Sequence, residues 1–255
     1  MRYEYKYIVH NSKMEHLRKM ILPFVDVDQF AESGGKNQYT VRSIYFDTPG
    51  YDFYYEKVDG IKNRKKVRLR GYDEENDDNT VFFEIKRKYD IPIVKYRAPV
   101  TFRDAQLMLK EKSINGSVLF KDTFPKGTEN AVRFFYQVFS KNLRPVVLII
   151  YEREAYLSKF DSTVRITFDK NLRSKGYPSI QELYQEERIK ATLADHFILE
   201  VKFNRSFPGW LNPMISQFSL RKQSASKYVI SMDANKIVNR ITKSKIYTRS
   251  KWFNS

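Results

Sequence analysis

Over many short stretches the chain alternates hydrophobic and polar residues. At its start Tyr3, Tyr5, Tyr7 and Val9 share one face while Glu4 and Lys6 share the other, the two-residue period of a half-buried strand. Thr80–Lys88 sets Phe82, Glu84, Lys86 and Lys88 opposite Val81, Phe83 and Ile85. Phe197–Phe203 sets Ile198, Glu200 and Lys202 opposite Phe197, Leu199, Val201 and Phe203. Val67–Tyr72 carries Arg68 and Arg70 on one side, and Val94–Pro99 carries Lys95 and Arg97. Val147–Ala155 brings Arg153 near its end, opposite Glu152 and Glu154, and Thr163–Asp169 brings Arg165 between two threonines. "YTVRSIYFD", residues 39–47, is a further strand.

Elsewhere the period lengthens. Ser12 and Glu15 have capping-box spacing ahead of Leu17, Met20, Ile21 and Phe24, so residues 12–24 are expected to be helical. Thr101 with Asp104 predicts a capped helix over 102–112. Val132, Phe135 and Phe139 predict the buried stripe of a helix at 129–142, a short helix is expected at 179–187, and residues 213–233 read as helical. Asp59-Gly60 and Phe160-Asp161 read as turns. The acidic "DEENDDN" at 73–79 reads as a hairpin tip, because it lacks the glycine and closing glutamate of a calcium loop. Lys65 and Lys66 read as a solvated edge or the mouth of a cavity. With no low-complexity linker and no fixed repeat, one domain over 1–240 and a basic tail over 241–255 are expected.

Composition narrows the chemistry. Of 255 residues 42% are hydrophobic, enough for a core. The absence of cysteine excludes disulfides, thiolate catalysis and cysteine-ligated zinc. His10, His16 and His196 lie far apart in sequence without metal-ligand spacing, which favours surface or packing roles. No apolar run reaches the ~18 residues of a membrane span. The opening "MRYEYKYIV" is strand-like and predicts no secretory leader, so the expected compartment is cytoplasmic.

Charge changes the picture most. A formal charge of +16 favours anionic partners. A sheet with one wet face would also place lysine and arginine opposite its apolar residues. Six strands whose polar faces are rich in arginine, the side chain suited to bidentate phosphate contacts, point instead to a shared anion site. The geometry this suggests is a closed antiparallel eight-stranded β-barrel with a polar lumen, an α+β fold with the helices at 12–24, 129–142 and 213–233 packed outside. Cations crowded into a lumen require a polyanion such as a triphosphate. Glu84 and Glu200 would repel phosphate unless one or more holds a hard divalent cation.

"RSIYFDTP", "KVRLRGY", "FFEIKRK", "VKYRAPV", "YEREAYL", "VRITFD", "LEVKF" and the closing "SKY" stand in an order that resembles the VTC domain, the polyphosphate polymerase branch of the triphosphate tunnel metalloenzyme, or CYTH-like, superfamily. The resemblance spans nearly the whole chain. It implies an eight-stranded tunnel and transfer of the terminal phosphate of ATP to inorganic polyphosphate, with Mn²⁺ or Mg²⁺ as cofactor. By motif it assigns Lys6, Arg68, Arg70, Lys86, Lys95, Arg153, Arg165, Lys202 and Lys227 to the catalytic set. Arg97 joins the phosphate-binding cations, and Glu200, with Glu84 and Glu4, is assigned to the metal. One departure stands out. The superfamily's E-x-E-x-K opening is here Arg2-x-Glu4-x-Lys6, a relaxation that VTC domains share.

Eukaryotic VTC subunits also carry an SPX domain and membrane helices, neither of which is read in this sequence, although a membrane partner stays open. Three alternatives remain: a tunnel hydrolase of inorganic or nucleoside triphosphate, a non-catalytic polyphosphate-binding module, and a nucleic-acid-binding module. Against the last, the aromatics mostly alternate opposite the basic residues, which suits packing more than base stacking, so no specific nucleic-acid partner is expected.

Overall fold

The alternating stretches pair into one large antiparallel sheet. The computed structural model describes residues 2–32, 37–74, 78–89, 93–114 and 118–238, so the expected tail at 241–255 lies outside the described residues. In chain order the elements are β1 (Tyr3–His10), α1 (Met14–Ile21), β2 (Val25–Val27), α2 (Gln29–Glu32), β3 (Tyr39–Asp47), α3 (Asp52–Val58), β4 (Arg64–Tyr72), β5 (Thr80–Lys88) and β6 (Ile93–Thr101). There follow α4 (Phe102–Glu111), α5 (Gly127–Ser140), β7 (Arg144–Ser158), β8 (Arg165–Gly176), β9 (Lys190–Ala191), β10 (His196–Phe203), α6 (Asn212–Gln217) and α7 (Lys227–Ala234).

The sheet has ten strands, with the main path β1-β10-β8-β7-β3-β4-β5-β6 and the short β2 and β9 paired beside it. A closed eight-stranded barrel is therefore not what forms: among the described residues the end strands β1 and β6 do not pair with each other. The edge of β1 is met by the segment leading into α7, where Gln223 N donates to the Lys6 carbonyl at 2.9 Å. Side chains reach across the gap, with Lys86 Nζ of β5 3.8 Å from Glu4 Oε2 of β1.

The apolar faces of the strands are covered as the pattern requires. Val67, Leu69, Phe83 and Ile85 pack against Ala131, Phe134, Phe135 and Val138 of α5. Tyr7, Val9, Phe197, Leu199 and Val201 pack against Leu17 and Ile21 of α1 and Met214 of α6. The predicted stripe on α5 is shifted: Val132 and Phe139 are exposed and Phe134 is buried. Truncating buried Phe134 to alanine would cost about 3–5 kcal/mol.

Local signals fared unevenly. Thr101 caps α4 as expected, its hydroxyl accepting from Asp104 N at 3.0 Å. Ser12 makes no capping box. It lies in a short 3-10 turn, and its hydroxyl bonds to His10 Nδ1 at 2.8 Å. A capping box forms at Ser179 and Glu182 instead, over a 3-10 turn at Ile180–Leu183 where a short helix was expected. The helix expected over 213–233 is two separate helices, α6 and α7.

The second of these corrects the outer-cover expectation. Tyr228 of α7 stacks on Tyr45 of β3 at a ring-centroid distance of 5.0 Å, and the helix packs with Val147, Ile149, Tyr151 and Ile198 on the concave face. Tyr228, Val229, Ser231 and Met232 are all buried, so α7 presents little polar face to solvent. Buried Asp47 holds it. The Asp47 carboxylate accepts from the backbone N–H groups of Thr48, Phe53 and Tyr54 at 2.8, 3.0 and 3.0 Å, and from the Tyr228 hydroxyl.

Candidate anion-binding site

The concave face gathers the cations. Register places Arg68 of β4 opposite Glu84 of β5, and Lys66 opposite Lys86. On the other side of β5, Arg97 of β6 stands opposite Glu84, and Lys95 opposite Lys86. Across the sheet, Arg153 of β7 faces Asp169 of β8, Arg165 of β8 faces Lys202 of β10, and Lys6 of β1 faces Glu200 of β10. These faces enclose a cavity of about 1540 Å³ whose walls include Arg68, Arg70, Lys86, Lys95, Arg97, Arg153, Arg165 and Lys202. Lys6, Glu84, Glu200 and Lys227, on the same face, are drawn into ion pairs.

Those pairs form three centres. Glu84, 1% exposed, lies 2.6 Å from Arg68 Nη2, 2.9 Å from Lys95 Nζ, 2.8 Å from Arg97 Nε and 3.9 Å from Arg70 Nε. Burial alone would raise its carboxyl, but the charges of Arg68, Arg70, Lys95 and Arg97 hold it well below the usual carboxylate range.

At the second centre Lys6 Nζ bridges two acids, 2.7 Å from Glu4 Oε1 and 3.4 Å from Glu200 Oε2. Lys202 pairs with Glu200 as well. Burial and the neighbouring Glu200 push Glu4 up, yet Lys6, Lys86 and Lys202 bring it down to about 2. Glu200 is likewise held well below its usual range, burial being overcome chiefly by Lys6 and Lys202.

The third centre is Asp169, which accepts two hydrogen bonds from Arg153, at 2.6 and 2.7 Å, and one from Lys227 of α7. The expected trio of Glu4, Glu84 and Glu200 does not converge. Glu84 sits on β5, one strand in from the edge strand β6, and among the described residues no three acidic or histidine side chains form a metal-holding group. Glu4 and Glu200 do lie together, both within reach of Lys6 Nζ. A neighbouring pair of carboxylates, one of them, Glu4, on the cavity wall, fits a hard, partly hydrated divalent cation, which takes one or two carboxylates and completes its shell from water and phosphate oxygens.

The structure brings in residues the alternation had not singled out. Lys66 is not at a solvated edge. It shares the inner face with Arg68 and Arg70 and donates to Ser226 Oγ at 3.1 Å. Burial, reinforced by Lys6, Lys86 and Arg68, pushes its ammonium well below the ordinary lysine value. Burial likewise lowers Lys86 and Lys95. Tyr45 accepts from Arg68 Nη1 at 2.7 Å, and although burial would raise its hydroxyl, Arg68 and Arg70 lower it. Arg165 is steadied by Asp28 Oδ2 at 3.1 Å and by the Tyr39 hydroxyl at 3.3 Å. Counting Lys66 with the ten cations named by sequence, eleven positive side chains outnumber Glu4, Glu84, Asp169, Glu200, the Asp28 that pairs with Arg165, and the Asp73 and Glu74 of the cavity wall. The imbalance is what a polyanion would neutralise.

Among the described residues no histidine lines the cavity, so no serine–histidine pair stands there. His10 and His196, distant in sequence, meet at one end of β1 and β10 with ring centroids 5.2 Å apart. Among the described residues no helix is long and apolar enough to cross a membrane.

Comparison with known proteins agrees with this geometry. The chain is 27% identical over 258 aligned residues to the vacuolar transporter chaperone complex subunit 4 of Schizosaccharomyces pombe, covering 83% of this chain and 34% of that protein. The chain thus spans about a third of that relative's length. Its fold overlays a solved Bacillus halodurans protein, provisionally assigned as an adenylate cyclase, at a TM-score of 0.50 and 13% identity, covering 88% of this chain and 92% of that one. A looser overlap, TM-score 0.47 at 13% identity, links it to protein PH1819 of Pyrococcus horikoshii, over 91% of this chain and 99% of that one. The model of the VTC domain family matches residues 1–236, and with the ordered cationic strands in place the chain belongs to the VTC domain family.

Proposed function

We propose that this domain is a polyphosphate polymerase that transfers the γ-phosphate of ATP to the end of an inorganic polyphosphate chain. The observation that carries the reading is the cavity walled by arginines and lysines from strands on both sides of the sheet. Arg68, Arg70, Arg153 and Arg165 would grip the phosphates of the donor, with Lys86, Lys95, Arg97 and Lys202 completing the cradle. Lys6, Lys66 and Lys227 would meet the acceptor from the inner end, where Gln223–Ser226 and α7 lie.

The step needs no covalent enzyme intermediate. A terminal oxygen of the acceptor chain attacks Pγ in line. The bond from Pγ to the β,γ-bridging oxygen breaks, ADP leaves with that oxygen, and the chain gains one phosphate. The attacking oxygen is already ionised near neutral pH, so catalysis consists of positioning and charge stabilisation. Glu4 and Glu200 are the residues that would hold a divalent cation, which would supply further charge neutralisation at the phosphate oxygens.

The test is turnover with product chromatography. Chain incubated with ATP and Mn²⁺ or Mg²⁺ should yield ADP and acid-labile polyphosphate. Arg165→Ala and Glu200→Ala should abolish the product while the circular dichroism spectrum stays native. Release of phosphate alone from tripolyphosphate would replace the polymerase reading by a hydrolase. Tight polyphosphate binding without turnover would leave a binding module.

A further inference from the structure

One part of the cavity wall is aromatic. Phe30 of α2 packs edge-on against Tyr39 and Tyr72 at ring-centroid distances of 5.0 and 5.6 Å. Tyr72 continues to Phe82 at 6.0 Å, and Phe82 to Phe124 at 6.0 Å, whose N–H donates to the Phe120 carbonyl. Phe30, Tyr39, Tyr72, Phe82 and Phe120 all line the cavity, and Phe30 and Phe120 remain 54% and 57% exposed. A single exposed ring is ordinary. A row of touching rings from Phe30 to Phe82, with Phe120 on the same cavity wall among arginines and lysines, is not, because a ring face offers an inorganic polyanion no direct contact.

The row is also tied to the anion site. The Tyr72 hydroxyl accepts from Arg97 Nη2 at 2.8 Å, and the Arg97 guanidinium lies 3.7 Å from the centroid of the Phe82 ring. The Tyr39 hydroxyl meets Arg165 at 3.3 Å. The rings that would receive a flat apolar group thus hold the guanidinium groups that would receive its phosphates.

We propose that this row is a stacking platform for the base of a nucleoside triphosphate whose phosphates lie on the cationic face. The inference rests on the reading above that the donor is a nucleoside triphosphate, and it adds a means of choosing the donor. Donor and acceptor present the same terminal phosphate to the same cations, and only the donor carries a base. Because every base has a π-face, the platform should select nucleotide over inorganic chain while discriminating little between adenine and guanine.

The experiment is calorimetric titration of the chain with the non-hydrolysable β,γ-imido analogue of ATP and, separately, with inorganic tripolyphosphate. The nucleotide should bind wild type more tightly than tripolyphosphate by about fivefold or more, the lower range of base–aromatic stacking. Phe30→Ala and Phe120→Ala should each erase most of that margin while tripolyphosphate affinity stays within about twofold, and Phe30→Trp should restore it. Equal affinities in wild type, or variants that weaken both ligands together, overturn the platform while leaving the anion site standing. Binding of neither ligand to wild type overturns both this inference and the donor reading beneath it.

Discussion

Glu84 offers the sharpest test of the site's electrostatics. Its carboxylate is 1% exposed and touches Arg68, Arg70, Lys95 and Arg97. Replacing it by glutamine keeps the volume and removes the one acid that, among the described residues, those cations share. Breaking a buried pair costs about 3–5 kcal/mol because the partner charges are left uncompensated. Lys95 is 44% exposed and counts for little, so the expectation rests on Arg68, Arg70 and Arg97, which are 16%, 10% and 25% exposed. We take the lower end, about 3 kcal/mol, which for a chain of this size lowers Tm by roughly 6–12 °C. The assay is thermal unfolding of wild type and Glu84→Gln at about 20 mM salt, where screening is weak.

A second arm adds tripolyphosphate. If the vacancy left by Glu84 suits an anion, about 1 mM tripolyphosphate should raise Tm more in Glu84→Gln than in wild type, since ligand binding stabilises in proportion to occupancy and affinity. A variant that melts within about 2 °C of wild type, or equal ligand stabilisation of both proteins, would refute the assignment of Glu84 as the internal counter-ion.

Three other outcomes follow from the same charges. Glu4 and Asp169 titrate near 2 in the folded chain, and Glu84 and Glu200 also lie well below their usual values, so unfolding must return protons to all four. Their contribution is complete above the unfolded values and is lost as pH falls from about 5 towards 2, so denaturant midpoints should drop steeply in that window; a flat profile there refutes it. Lys66 is held well below the ordinary lysine value, and a bound polyanion should raise it, so tripolyphosphate binding at a pH below the ordinary lysine range should take up protons. Titration calorimetry in buffers of different ionisation enthalpy measures this, and uptake undiminished in Lys66→Met would sink the assignment. Asp47→Ala removes the acceptor for three backbone N–H groups and for Tyr228, which should cost about 3 kcal/mol or more and loosen α7. Hydrogen exchange of Tyr228–Met232 reports this, and unchanged protection would refute the anchoring role.

Much of the site could be read before folding. Alternation put Arg68, Arg70, Lys86, Lys95, Arg97, Arg153, Arg165 and Lys202 each on the polar face of its strand, because strand side chains change sides at every residue, and the wealth of arginine argued that this face is the inner one. The same rule would have found Lys66, one step before Arg68 in the period; its place in the run "NRKKVR" disguised it as solvated edge. Helix α7 was harder. A segment buried on most of its surface has no polar stripe to show which side faces outward, so its position inside the concave face was not legible. Nor was the open edge of β1, since Gln223 meets Lys6 through backbone atoms that leave no mark in the side-chain pattern.

The two Glu-x-Lys strands mark where sequence stops. By itself the sequence determined that Glu84 with Lys86, and Glu200 with Lys202, face the same side as the arginines. The resemblance put Glu200 first as the metal ligand, and only the tertiary structure supplied the physical reason the two glutamates differ. β5 lies between β4 and β6, so Glu84 is enclosed by Arg68, Arg70, Lys95 and Arg97 and acts as a counter-ion. β10 lies between β1 and β8, so Glu200 meets Glu4 and Lys6, and a second acid stands beside it. A carboxylate's role is set by the charges within a few ångströms of it, and strand order, which no local pattern encodes, chooses those charges.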